Sequence, residues 1–513
     1  MKPASRLPAF IALLFIAGSA AGLVFQFYFH KFMNIDTLSY INIAELYAAG
    51  KFSLAINGCW SPLYSWILAL LLLLGIPALA GCYILNFVFA GLCVHALYQI
   101  SKKNLHDIRL LVLFNLFSTL FFLNQALSVL TPDLLAAAIA FYFINLFLGS
   151  EFPHSRKKQV VAGIAAGMMF FAKSYNFLFV IAFLVALILI NIFRRKSKPK
   201  LYPAYLFTGL IFITVSLCWI IPLSVHEGKP TFSTAGGYVY KFVHPDNKDH
   251  PSALRIIPPP FSEAYSSWIN PVQQLDSMRW SPFDNSSFFD YQARLIVRSV
   301  STTFQIVDRR FIKTAILLLI AGMAIFHKRL RQQLMQGDCT ILLAAMIIYP
   351  LGYFPLFVID RYILVSILLF YFLFFYMLQA VIAVLPKRTG WILIVIALLL
   401  LIIPGLRYVN AVWKQKSFEY QLYRAFHERK SEFEFLKEKR IAASRSSYIL
   451  SAQLSYLFKS RFYGIWNDAD AEKAKTYDVE YVIAGEPLLS PVLIQDREIK
   501  VGGYTSYVYR LKN

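Results

Sequence analysis

Charge is scarce in this chain. Asp, Glu, Lys and Arg make up 15% of its 513 residues, where soluble domains carry about 25%, so an ordinary water-soluble domain is excluded. Cysteine is scarce too. There are five, Cys59, Cys82, Cys93, Cys218 and Cys339, and all but Cys59 lie in or beside apolar runs. That leaves no disulfide framework and no metal-ligand spacing. A phosphate-cradling G-x-x-x-x-G-K-[ST] loop, a glycine-rich dinucleotide turn and an H-E-x-x-H pair are all missing, which excludes a nucleotide donor built on those motifs. Internal repeats and low-complexity segments are absent as well.

Apolar residues are what the chain has in abundance: 58% hydrophobic and 16% aromatic. The fold class expected is a polytopic α-helical membrane protein. Apolar runs fall at about 8–29, 62–78, 81–100, 109–126, 132–149, 159–172, 175–193, 203–223, 311–327, 340–358, 362–385 and 390–405. The first is too long for the apolar core of a signal peptide and reads as an uncleaved span. The net charge of +22 raises the question of nucleic acid. Its basic residues, however, sit in short clusters between apolar runs, as cytoplasmic loops do, so no nucleic-acid partner is expected.

The run at 62–78 decides the topology. Gly75-Ile76-Pro77 should stop its helix after about 13 residues, roughly 20 Å at 1.5 Å per residue, which is short of a 30 Å hydrocarbon core. If it does not cross, Lys102, Lys103, Arg109, Arg156–Lys158, Arg194–Lys200, Lys328–Arg331 and Lys387-Arg388 all fall inside. If it crosses, they all fall outside. The positive-inside rule selects the first arrangement. About eleven helices then cross, the N-terminus is cytoplasmic, and Asp36, Asp133, Lys173, the 224–305 loop, Arg361 and the tail share the extracytoplasmic face. A bacterial inner membrane is the expected location.

The 224–305 loop is polar, aromatic and proline-rich, too long for a simple turn. Residues 406–513 are rich in charge. They read as helix (411–438), strand (440–444), helix (446–459), strand (461–465), helix (469–476), strand (479–484) and a β-rich end. Two domains are expected: a membrane catalytic domain over 1–405 and a small soluble α/β domain over 406–513.

The stretch Met33–Tyr64 carries the most information. Asp36 follows the first apolar run by a few residues, and Tyr40 shares its helix face. Gly50 fits a helix stop. Ser61-Pro62 fits a fresh start, with serine as the cap and proline at the first helical position. With Ala44 and Pro62-Leu63-Tyr64, this pattern resembles the first extracytoplasmic loop of the GT-C glycosyltransferases, which include the protein O-mannosyltransferases and the aminoarabinose transferase of lipid A. The resemblance implies interfacial helices in the first loop, a polyprenyl-phosphate sugar donor, and a lipid, glycan or protein acceptor. It also implies Asp36 as base in an inverting transfer. The second acid of the mannosyltransferase loop is absent, since Thr37 follows Asp36. Ser61-Pro62 stands where the aminoarabinose transferase has Glu-Lys-Pro. Acceptor and metal therefore stay open.

Further residues are weighed against plainer readings. Asp133, in Thr131-Pro132-Asp133, is a second catalytic candidate that would hold a divalent cation with Asp36 or raise its pKa; the plain reading is a helix cap. Lys173 interrupts an apolar stretch, an expensive placement that points to function. A carrier phosphate would be its partner, and snorkelling to the interface is the alternative. Arg361, with Tyr362, suits bidentate phosphate binding; the alternative is an ion pair with Asp360 or Asp133. His226 and Glu227 read as ordinary loop residues. The expected activity is sugar transfer from a lipid carrier, with Asp36 and Asp133 catalytic and Tyr40, Lys173, Arg361 and Tyr362 binding substrate. The rival is a transporter or flippase, or a ligase, of lipid-linked glycans. No pair of broken helices repeats between halves, which counts against transport.

Overall fold

The computed structural model describes residues 3–26, 33–128, 130–193, 202–246, 253–272, 280–308, 314, 331–332, 337–386, 388–396, 399, 426–501 and 503–512. Six helices among them are long and apolar enough to cross a membrane: Leu7–Phe25, Ala78–Asn104, Ile108–Ser128, Asn176–Phe193, Tyr202–His226 and Asp360–Ile382. Pro62–Leu73, Asp133–Phe147 and Asp338–Leu351 are shorter apolar helices. The protein is an integral membrane protein. The expected crossing over 159–172 is a 17-residue helix, Arg156–Ala172. The run at 311–327 lies outside the described residues, apart from Thr314.

The run at 62–78 breaks where its residues say it should. Pro62 opens a helix that ends at Leu73, about 18 Å of rise. Gly75 takes φ +80, a left-handed conformation open to glycine, and a new helix starts at Ala78.

The chain divides into two compact units. The first comprises residues 1–20, 85–232 and 281–409; the second comprises 21–84, 233–280 and 410–513. The first is a helical body whose core is largely phenylalanine. Phe114 meets Phe372 and Phe375 edge-on at 5.4 and 5.7 Å, and Phe143 packs on Phe183 at 5.8 Å. Helix Arg156–Ala172 packs against Tyr202–His226 through Gly163 and Gly167. A Cβ on Gly163 would stand 2.5 Å from Ile211 Cβ and 2.8 Å from the Thr208 carbonyl, and one on Gly167 would overlap Val215. Small residues four apart let two backbones approach closely in lipid.

The second unit carries a five-stranded sheet: β1 (Arg440–Ala443), β2 (Arg461–Ile465), β3 (Tyr481–Ala484), β4 (Leu493–Val501) and β5 (Tyr504–Leu511). The order is β2-β1-β3-β5-β4. β1 pairs parallel with β2 and β3, while β5 is antiparallel to both β3 and β4. Helices Tyr448–Leu457 and Ala471–Thr476 make the connections between the parallel strands. The helices and strands expected over 440–484 match these elements to within two residues. β4 was not anticipated: its run of exposed positions between Leu493 and Ile499 hides the alternation that marks a half-buried strand. The helix expected at 411–438 lies outside the described residues as far as 425, and Lys430–Leu436 is a 3-10 helix.

The 224–305 loop is shared out. Residues 253–272 close the β2 edge: Ile257 N donates to the Tyr463 carbonyl at 2.6 Å, and Phe462 N to the Tyr265 carbonyl at 2.8 Å. Residues Ser286–Val307 form a 22-residue helix in the first unit, begun by Asn285, whose side chain accepts from Phe288 N. The polar, proline-rich loop expected over 224–305 did not include this helix. Its buried positions, Gln292, Ser299 and Val307, include two polar residues, so no apolar stripe at helical spacing marks the helix in the sequence. Gly163→Val is expected to lower the thermal midpoint of the detergent-purified protein. Overpacking of this kind costs about 1–3 kcal/mol, and Gly236→Ala, where nothing lies within 4 Å and the backbone is helical, serves as the comparison for an uncrowded glycine.

Candidate functional site

Asp36 belongs to the second unit. Its helix, Ile35–Ala48, is capped by Asn34, whose Oδ1 accepts from Thr37 N at 2.7 Å and Thr37 Oγ1 at 2.6 Å. The cap is therefore supplied by a neighbour, and the Asp36 carboxylate is directed elsewhere. Trp268 Nε1 donates to Asp36 Oδ1 at 3.1 Å. Trp268 is fixed in turn: Trp60 Nε1 donates to its carbonyl at 3.2 Å, and the Tyr238 ring meets it edge-on at 6.2 Å. Tyr40 is only 6% exposed and packs between Trp60 at 5.3 Å and Tyr64 at 5.4 Å. It belongs to the aromatic cluster beside the Asp36 helix.

The same helix is tied to the large loop and to the sheet. Asn42 Nδ2 donates to the Glu263 carbonyl at 3.0 Å, and Tyr265 N donates to Asn42 Oδ1 at 3.1 Å. Tyr265 OH donates to Glu45 Oε2 at 2.6 Å, Lys459 Nζ reaches Glu45 Oε1 at 3.0 Å, and Lys459 also donates to the Tyr265 hydroxyl. Burial, then the Glu45 charge, pushes the Tyr265 phenol above its ordinary pKa, so it remains a donor. Lys51 Nζ donates to Glu263 Oε1 at 2.6 Å. That bond, with a second from Ser262, holds the Glu263 carboxyl down at about 2.

The first unit holds the other candidates. Asp133 is the first residue of helix Asp133–Phe147, but its side chain does not cap the helix. Thr131 Oγ1 donates to its Oδ2 at 2.5 Å, and Lys173 Nζ donates to its Oδ1 at 2.5 Å. Arg361 stands 3.9 Å from Oδ2, an ion pair beyond hydrogen-bond length. The three side chains are 6%, 20% and 18% exposed, so the charges are largely removed from water and compensate one another. Lys173 interrupts the apolar sequence because it joins helices Arg156–Ala172 and Asn176–Phe193 where this carboxylate waits. Its ammonium also lies over the Tyr362 ring, 3.9 Å from the centroid, a cation–π contact. Tyr175, Tyr353 and Tyr362 stack beside it at 3.8 and 5.1 Å. Asp360 accepts from the Arg361 amide at 2.8 Å.

The structure thus joins Asp133, Lys173, Arg361 and Tyr362 in one cluster, and in the other unit it sets Asp36 beside Trp268. His226 is exposed at the end of its helix. Among the described residues no three His, Cys, Asp or Glu side chains gather as a metal site requires. Trp268, Tyr353 and Lys459 were not singled out from sequence. Trp268 lies 232 positions from Asp36, and no local spacing marks such a partner.

Residues 60–219 match the family model described as dolichyl-phosphate-mannose-protein mannosyltransferase. No curated protein sequence matches the chain. The fold is similar to that of ArnT from Cupriavidus metallidurans. The apo structure gives a TM-score of 0.52 at 11% identity, and the structure bound to undecaprenyl phosphate gives 0.52 at 12%; each match covers 97% of both chains. AglB from Archaeoglobus fulgidus, in complex with an inhibitory peptide and a dolichol-phosphate, gives 0.49 at 10% identity over 94% of this chain and 70% of that one.

Two outcomes follow from the geometry. Asp133→Asn leaves two partly buried cations facing each other, and losing one member of a buried ion cluster costs about 3–5 kcal/mol. Lys173→Met leaves Asp133 with Arg361 and Thr131, so its thermal midpoint should fall less than that of Asp133→Asn. The Glu263 carboxyl is lowered in the folded state, so its stabilising effect is present above its ordinary range near 4.5. It is lost as pH falls from there towards about 2. Limited proteolysis of segment 253–272 should accelerate over that window, and Lys51→Ala should reduce the pH dependence, with the Ser262 bond keeping part of it.

Proposed function

We propose that this chain, a membrane glycosyltransferase of the GT-C superfamily, draws its sugar from a polyprenyl-phosphate carrier and passes it to an acceptor hydroxyl on the extracytoplasmic side. The basic loops at one face supply the orientation, with the N-terminus cytoplasmic and a bacterial inner membrane as the setting. Residues 1–405 form the membrane catalytic part and 406–513 the aqueous part. One observation carries the reading. Lys173 and Arg361 come from distant helices and converge, largely out of water, on a single carboxylate in a fold shared with a protein solved with undecaprenyl phosphate bound.

The carrier's phosphate takes its place beside that pair. The planar fork of Arg361, paired at 3.9 Å with Asp133 Oδ2, is of the kind that suits two phosphate oxygens. Lys173 adds a point charge. Asp133 orders both cations before the anion arrives, and Tyr362 fixes the ammonium from its ring face. On the acceptor side, Asp36 receives the proton of the attacking hydroxyl as that oxygen bonds to the anomeric carbon. The bond from that carbon to the phosphate oxygen breaks, the carrier phosphate leaves with the electron pair, and the configuration inverts. Trp268 holds one carboxylate oxygen and thereby sets the direction of the other. Tyr40 supports this helix from within the aromatic cluster.

General-base help is worth about 10²–10⁴ in rate. Asp36→Asn should therefore reduce transfer from a short polyprenyl-phosphate sugar by that factor with little change in carrier affinity. Lys173→Ala and Arg361→Ala should raise KM for the carrier. Transfer by Asp36→Asn at the wild-type rate would overturn the assignment of the base. Carrier movement across proteoliposomes without any glycosyl product would favour transport, and transfer of preassembled glycans alone would favour a ligase.

A further inference from the structure

We infer that the sheet of the second unit carries a binding crevice of its own, and that the crevice takes a monosaccharide unit bearing an anionic group. The inference stands on topology, volume and lining, and is independent of the transfer reaction proposed above. β1, β2 and β3 run parallel in the order β2-β1-β3. The chain therefore leaves β1 towards one side, for β2, and later returns to pair β3 on the other. In open α/β sheets the crevice outside the carboxyl ends of the strands, at such a reversal, is where ligands bind.

A cavity of about 400 Å³ lies there, within the size range of small-molecule sites. All three loops that leave the parallel strands line it: Arg445 after β1, Trp466 to Asp468 after β2, and Leu488 to Ser490 after β3. Leu254, from the loop that closes the β2 edge, completes the wall.

The lining has the mixed character that a sugar ring needs. Leu489 is 99% exposed and Leu254 43% exposed; neither serves the core, and both offer apolar surface at the mouth. Trp466 Nε1 and Ser490 Oγ both donate to Asp468 Oδ1, at 2.9 and 2.7 Å. The carboxylate is thereby fixed on one oxygen, and a carboxylate so held is an oriented acceptor for hydroxyls. Asn467 Oδ1 accepts from Ala469 N at 3.1 Å, which holds that side chain at the rim as well. Arg445, an exposed residue of the lining, supplies the positive charge, and a guanidinium's planar donors match a phosphate or a carboxylate. Apolar contact for a ring face, one oriented acceptor for hydroxyls and one cation together describe an acidic or phosphorylated hexose.

Isothermal titration of the full chain in detergent with glucose 6-phosphate, glucose and inorganic phosphate tests this. Saturable binding of glucose 6-phosphate is expected, at least tenfold tighter than either of the other two. Arg445→Ala should weaken it tenfold or more. Asp468→Asn should weaken glucose 6-phosphate by a similar factor while leaving inorganic phosphate unchanged. Leu489→Ser, at a fully exposed position with no folding role, should weaken it several-fold. No binding of glucose 6-phosphate, equal binding of inorganic phosphate, or binding unaltered in all three variants would overturn the inference. Comparison with Asp36→Asn, which should bind the probe as the wild type does, separates failure of this site from failure of the transfer mechanism.

Discussion

A carboxylate removed from water has to be compensated where it stands, and in the helical unit that requirement organises the candidate site. Asp133 opens an apolar helix, so its charge has no bulk solvent to rely on. Lys173 and Arg361 meet it from a break between two helices and from the turn before a third. Each would be costly alone in an apolar setting. Together they fix three chain segments with respect to one another. The stacked tyrosines around Lys173 complete the arrangement by giving its ammonium an aromatic face.

The second unit obeys a different constraint, the need to satisfy backbone and side-chain donors over long sequence distances. Its first-loop helix, the 253–272 segment and the sheet lie hundreds of residues apart in the chain, yet Asn42, Glu45, Tyr265 and Lys459 join all three. Polar bonds do here what phenylalanine packing does in the helical body. The carboxylate proposed as base sits at the start of the helix that this network holds.

Much of the fold could be read from sequence because its signals are local. Gly75 and Pro77 announced the short helix Pro62–Leu73. The parallel strands of the tail alternate with helices at ordinary spacing, and their boundaries fell within two residues of those observed. β4 escaped because an edge strand crowded with charge lacks alternation, and Ser286–Val307 because its buried positions include Gln292 and Ser299 and form no apolar stripe. The site candidates were legible for an energetic reason: a lysine in a thin apolar turn and an arginine at a helix exit are expensive unless used. The plain alternative for Asp133, a helix cap, is not what its side chain does. An Arg361–Asp133 ion pair is present, and it belongs to the same cluster rather than competing with it. Trp268 was invisible because its partnership with Asp36 is a property of the folded chain alone.

The docking of residues 256–266 along β2 also bears on how the sheet behaves when separated from the rest of the chain. A fragment beginning near residue 426 would lose that cover, leaving a row of amide and carbonyl groups on β2 with nothing to bond. Uncovered edges of this kind recruit one another. Such a fragment would self-associate side by side, whereas the opposite flank, β4, carries Asp496, Arg497, Glu498 and Lys500 and a break in register that discourages the same pairing. The large loop is thus also a guard against aggregation, and a soluble version of the module would need a substitute for it.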